Sequence, residues 1–211
     1  DSAGNGPEAG LTSGNYAVEA LAPTVSSWSF SDTALKAGDT ATVTIVLSEA
    51  NAGFTNADFT CGSGSMGALS VAGDGVTYTG TLTPTADTED SSNTCAVGTA
   101  WTDTIGNAGT ASTSANYAVE TLKPTLTIAM TTSNSNSAYA KSGDTITLTI
   151  TASESVTGLV CTIDAEATTM GGSGTSWTSA LTLSGDETEQ NTVFSCASGA
   201  DAAGNTMVAD T

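Results

Sequence analysis

The chain has 211 residues and a formal net charge of −19, from 22 acidic residues against three lysines, with no arginine and no histidine. No cationic surface exists to displace counterions from phosphates, which excludes nucleic acid and anionic membrane surfaces as partners. The absence of histidine removes the usual general base and the commonest transition-metal ligand, so an enzyme is disfavoured.

Charged residues make up 12% and aromatics 5% of the chain, while Ser and Thr fill nearly a third of the positions. Many short β-branched strands over a small-residue core suit this composition. No apolar run reaches membrane-spanning length, so no membrane insertion is expected. The first residue is Asp1, not Met, which reads as a processed product or a fragment.

Taken in order, the chain repeats itself at offsets of about one hundred residues. Residues 1–22 form an extension that contains Asn15-Tyr16-Ala17-Val18-Glu19 and Leu21. Residues 23–122 form a first unit and 123–211 a second. The alternation in Thr40–Leu47 places Ala41, Val43, Ile45 and Leu47 on one face, and Thr145–Ile150 repeats the scheme with Ile146, Leu148 and Ile150. That period of two predicts strands. Val76–Leu82 and Trp177–Leu183 alternate likewise, with turns at Gly38-Asp39, Asp74-Gly75 and Gly171-Gly172. The expected fold is all-β: two tandem Ig-like antiparallel β-sandwiches, the second lacking its last strand, plus an N-terminal donor strand. Trp28, Trp101 and Trp177 read as core or rim fillers.

Each unit holds two cysteines about 35 residues apart, and pairing within units (Cys61–Cys95 and Cys161–Cys196) is the economical choice. Such bridges imply an oxidising, extracellular setting. Asp-x-x-Gly-Asn occurs three times, offering Asp1 and Asn5, Asp103 and Asn107, Asp201 and Asn205. These oxygens suit calcium, and an Asx-turn explains them equally well and is preferred. Otherwise no cofactor is expected. Lys36 and Lys141 read as turn lysines. The acidic groups Asp87, Glu89, Asp90 and Asp186, Glu187, Glu189 read as solvated loops. Thr131, Thr132, Ser133, Ser135 and Ser137 form a hydroxyl-rich run open to O-linked glycans.

The segments "AGDTATVTIVLSEA", "GFTNADFT", "GVTYTGTLTPTAD", "DTIGNAG" and "NYAVETLKPT" together resemble bacterial Ig-like repeats of large extracellular adhesins and surface proteins. The resemblance covers nearly all of residues 23–124 and is weaker beyond. The cysteine pair departs from the family's usual pattern. The resemblance implies a β-sandwich, export to the cell surface, a role as spacer, filament or adhesin, and no catalytic activity.

Aligned on one another, the units end differently. The first runs through "NYAVETL", whereas the second stops six residues past Asn205, and the orphan copy of that stretch stands at Asn15–Leu21. A sandwich without its final strand exposes an edge and a groove that invite another chain. The extension, from about residue 12 to 21, is the expected donor, giving a head-to-tail homopolymer in which Tyr16 and Val18 fill the groove. The alternative is an excerpt of a long spacer array, calcium-stiffened or not, with residues 1–22 the tail of a preceding module.

Overall fold

A computed structural model of the chain describes residues 14–186 and 190–209. The first unit contains β1 (Val25–Phe30), β2 (Ala34–Lys36), β3 (Ala41–Leu47), β4 (Asn51–Ala52), β5 (Phe59–Cys61), β6 (Gly64–Met66) and β7 (Ser70–Val71). It continues with β8 (Thr77–Pro84), β9 (Glu89–Asn93), β10 (Cys95–Val97), β11 (Thr102–Asp103), β12 (Ser112–Thr113) and β13 (Tyr117–Glu120). The second unit contains β14 (Leu126–Thr132), β15 (Thr145–Val156), β16 (Val160–Ile163), β17 (Glu166–Ala167), β18 (Thr169–Thr182) and β19 (Phe194–Ala197). The only helical piece among the described residues is one 3-10 turn at Asn56–Asp58, closed by a capping box between Thr55 and Asp58.

The predicted all-β, Ig-like architecture is what forms. In the first sandwich one sheet runs β1-β3-β8-β6, with β7 also on β8, and the small sheets β2-β13-β9 and β12-β10-β5 complete the barrel of contacts around its core. Alternation does what the sequence demands: Ala41, Val43, Ile45 and Leu47 are buried along β3 while the intervening residues face outward. The second unit repeats the frame as β14-β15-β18 and β17-β16-β19. Ile146, Leu148 and Ile150 are buried along β15.

Three details differ from expectation. Strand β13 pairs with β2 in parallel, Val119 opposite Leu35, so the first sandwich is not purely antiparallel. Gly171-Gly172 do not end a strand. They lie within the 14-residue β18, where Gly172 takes the positive φ, +96°, expected of it. The register shift against β15 falls past them, with its extra residues on β15 between Thr151 and Val156. Glu89 and Asp90 belong to β9, not to a loop, and Asp90 accepts a hydrogen bond from the Ser63 hydroxyl at 3.0 Å.

The aromatic residues are few but concentrated. Phe54 sits 5.1–5.2 Å, centroid to centroid, from Phe59, Tyr78 and Trp101, edge-on to each, a favoured geometry for ring quadrupoles. Trp101 is buried, and Trp28 and Trp177 are partly buried against their cores. The second core is aliphatic and sulfur-rich, built on Ile146, Leu148, Ile150, Leu159, Ile163 and Met207 with its cystine.

Candidate functional site: an open groove and the module joint

Both predicted bridges form. Cys61–Cys95 and Cys161–Cys196 join directly opposed residues of β5–β10 and β16–β19, with Cα atoms 4.0 and 4.1 Å apart.

Strand β13 shows what closes a sandwich of this type. Tyr117 and Val119, each 1% exposed, point into the core, because alternation sends them to one face and Ala118 and Glu120 to the other. The Tyr117 ring packs 5.5 Å from Phe30, and its hydroxyl donates to the Gly62 carbonyl. Burial, with the nearby Asp90 charge, raises the phenol's pKa above its ordinary value. The backbone of β13 is held by β2 on one side and β9 on the other.

Among the described residues no strand stands at that place in the second sandwich. The turn Lys141-Ser142-Gly143-Asp144 fixes the correspondence with Lys36-Ala37-Gly38-Asp39. In both, the Asp carboxylate accepts the Lys backbone N–H (2.9 and 3.2 Å) and the Asp N–H donates back to the Lys carbonyl. The ammonium lies 3.4 Å from the same carboxylate for Lys141 and 3.2 Å for Lys36, so both are turn lysines. Tyr139-Ala140-Lys141 therefore stand for β2, and Gln190-Asn191-Thr192 for β9. Neither is a strand, and both line an open groove of about 850 Å³ floored by Met130, Ile146 and Leu183. Met130 opposes Leu148 as Phe30 opposes Val43, so it is the counterpart of the ring that Tyr117 covers. Ala140, the counterpart of the buried Leu35, is exposed.

The orphan segment is solvent-exposed. Asn15, Tyr16, Ala17, Val18, Glu19 and Leu21 form no strand within their own chain, and Tyr16 and Val18 are 83% and 77% exposed. Its end nonetheless copies the end of β13. The Leu21 N–H bonds the Glu19 carboxylate at 2.7 Å, as the Leu122 N–H bonds that of Glu120 at 2.9 Å.

The two described Asp-x-x-Gly-Asn loops are Asx-type turns. Asp103 Oδ1 accepts the backbone N–H groups of Ile105, Gly106 and Asn107 at 2.6–2.9 Å, and Oδ2 accepts the Asn107 amide at 2.8 Å. Burial works to raise the Asp103 pKa, but these donors outweigh it and hold the carboxyl below its ordinary value. Asp201 is bonded in the same manner by Gly204 and Asn205. Both carboxylates thus face N–H donors, and no group of three or more metal-ligating side chains occurs among the described residues. Asp1 and Asn5, the first copy, lie outside the described residues. Of the hydroxyl run, Thr131, Ser133, Ser135 and Ser137 are exposed and Thr132 is half-buried; Thr131, Thr132 and Ser137 also rim the groove.

One role escaped the sequence reading. Asn205 reaches across to the first sandwich, where its Oδ1 accepts the Ala37 N–H at 2.7 Å and its Nδ2 donates to the Glu120 carbonyl at 2.8 Å. The signal was the joint recurrence of "NYAVE" and Asp-x-x-Gly-Asn, two motifs that travel together because they touch.

Two disulfide-tied β-sandwiches sharing a hydrogen-bonded joint define a modular structural protein. Residues 19–119 match the family model of a bacterial Ig-like domain, which bears out the resemblance for the first sandwich and the end of the segment before it. No curated protein matches the chain. Domains of this kind are structural parts of surface proteins and are typically without enzymatic activity, and the disulfides accord with a secreted or surface location. No helix among the described residues is long and apolar enough to cross a membrane.

Proposed function

We propose that the chain is the subunit of an extracellular filament, polymerising head-to-tail by insertion of the segment around residues 12–21 into the groove of the second sandwich of another copy. One observation carries the reading: the groove that Tyr117 and Val119 fill in the first sandwich is open in the second, while an exposed segment with the same residues, Tyr16 and Val18, stands at the front of the chain. Transferring the register of β13 sets Val18 opposite Ala140 in parallel and opposite Asn191 in antiparallel pairing. Tyr16 then covers Met130 and its hydroxyl meets the Thr162 carbonyl, the counterpart of Gly62. Burying Tyr16 and Val18 contributes about 1.5–3 kcal/mol each, and the strand offers backbone partners to the two flanking segments, which form no strand in the chain alone. The contact is heterologous and does not close on itself, so it propagates.

Negative-stain electron microscopy of the chain with and without residues 1–22 tests this. Filaments from the intact chain that disappear on truncation, and that are capped by an added peptide of residues 12–22, are the expected result. Compact monomers from both forms overturn it and leave a spacer module whose groove is filled from elsewhere in a longer array.

A further inference from the structure

The two described Asp-x-x-Gly-Asn loops are one device at two stages of completion. At the joint between the sandwiches Asn205 is fully engaged: Oδ1 with the Ala37 N–H, Nδ2 with both Asp201 and the Glu120 carbonyl. Asn107 repeats only the second half. Its Nδ2 bonds Asp103 at 2.8 Å and the Glu19 carbonyl at 3.3 Å, and its Oδ1 accepts from no described residue. The counterpart of Ala37 is Ser142, next after the turn lysine. It is exposed, and its N–H donates to no described acceptor. One chain therefore carries a closed clamp and, at its two ends, the separated halves of a second.

We infer that Asn107 and Ser142 are those halves: Oδ1 of Asn107 in one copy accepts the Ser142 N–H of a second copy. The inference rests on the strand-donation reading and deepens it. A donated strand ending at Glu19 fixes where two subunits meet but leaves a swivel at residues 20–24. The clamp removes the swivel, because one side chain then holds the donor strand's last carbonyl and the acceptor's turn together. Every joint along the polymer becomes a copy of the joint inside each subunit, with Asn107 reading Ser142 as Asn205 reads Ala37.

The turn offers a substitution that deletes this N–H. Gly143 has a φ of +86° and Asp144 N–H bonds the Lys141 carbonyl at 2.9 Å, a type II turn in which Ser142 holds the position that accepts proline. Ser142→Pro deletes the N–H without requiring a new backbone conformation, and Asn107→Ala removes the acceptor from the other side. Ser142→Pro also loses the bond from the Ser142 hydroxyl to the Ser184 carbonyl at 3.2 Å, and Asn107→Ala the Nδ2 bonds to Asp103 and the Glu19 carbonyl. Each variant is therefore expected to raise the concentration at which filaments appear by at least about fivefold. Each also widens the angular spread at alternate joints, those between copies, in electron micrographs, whereas Ala37→Pro widens the other set. Filaments of either variant with unchanged onset and unchanged joints overturn the clamp and leave strand donation standing. Absence of filaments from the unaltered chain overturns strand donation and the clamp with it.

Discussion

Trp101 packs against Gly109 so closely that a Cβ on the glycine would stand 2.2 Å from the indole. In the second sandwich the same two positions are Gly199 and Met207, and the bulk has changed sides: a Cβ on Gly199 would stand 2.9 Å from the Met207 sulfur. Each pair fills one layer beside its Asp-x-x-Gly-Asn loop, once with the large residue before the loop and once with it after. Gly109→Ala forces a ring, buried on every side, to move, and costs about 1–3 kcal/mol. Gly199→Ala costs less, because an unbranched thioether can swing aside. Gly98→Ala, with nothing within 4 Å of its added methyl, is the control. Thermal unfolding of the three variants should rank them in that order, and an equal effect of Gly98→Ala and Gly109→Ala would refute the packing argument.

The two cystines close loops of nearly equal separation, 34 and 35 residues, and in the chain-entropy picture each stabilises by about 3–4 kcal/mol. Their surroundings differ. Strand β10 is also held by β12 on its far side, whereas β19 pairs only with β16 among the described strands. Removing Cys161–Cys196 by paired Ser substitutions should therefore unfold the second sandwich at a much lower temperature. The same change at Cys61–Cys95 should leave the first more intact. Calorimetry resolving two transitions checks this, and equal losses in both sandwiches would count against the role assigned to β12.

The strands that alternate cleanly were legible because one face of a half-buried sheet must be apolar: Ala41, Val43, Ile45 and Leu47 could have no other arrangement. The disulfides were legible because both cysteines recur at one spacing. The parallel contact of β13 with β2 was not, since it joins Val119 to Leu35 across most of a module and leaves no local pattern. Gly171-Gly172 misled because a positive-φ glycine can stand inside a strand as well as in a turn. The groove shows only in the structure, where residues 139–141 and 190–192 form no strand and Met130 and Leu183 lie at its floor. The reach of Asn205 to Ala37 depends on how two modules sit together, which no single-module pattern encodes.

Asp103 gives the first pH prediction. Its carboxyl titrates below the ordinary 3.8 in the folded chain, burial being outweighed by the donors from Asn107, Ile105 and Gly106. A lowered folded pKa means the ionised form is favoured by folding, so the stabilisation is present above 3.8 and is lost as the pH falls through the lower folded value. Asp103→Asn should destabilise at neutral pH, because its amide opposes that of Asn107, and the deficit should shrink in acid below that range. Melting temperatures across the acid limb test it. A deficit independent of pH would show that shape alone, and not the charge, matters at this position.

Glu154 has the opposite sign. Burial first, then repulsion from Asp201, Glu120 and Glu89, raises its pKa above 4.5. Glu120 is raised too, by burial and then by Glu89 and Asp201, against the opposing Leu122 N–H. These carboxylates come from both sandwiches, so their repulsion works against the Asn205 joint. For an acid with a raised folded pKa, the folded state binds the proton more tightly. Stability is therefore highest below 4.5 and declines as the pH climbs through the raised value. Glu154→Gln should stabilise the chain at neutral pH by roughly 0.5–1 kcal/mol, the group being half-buried and partly screened. That gain should vanish below pH 4.5 and shrink in high salt. Urea unfolding of the variant and its parent at neutral and acid pH measures it, and a Glu154→Gln variant less stable than its parent at neutral pH would mean that Glu154 has a favourable partner which outweighs the three acids facing it.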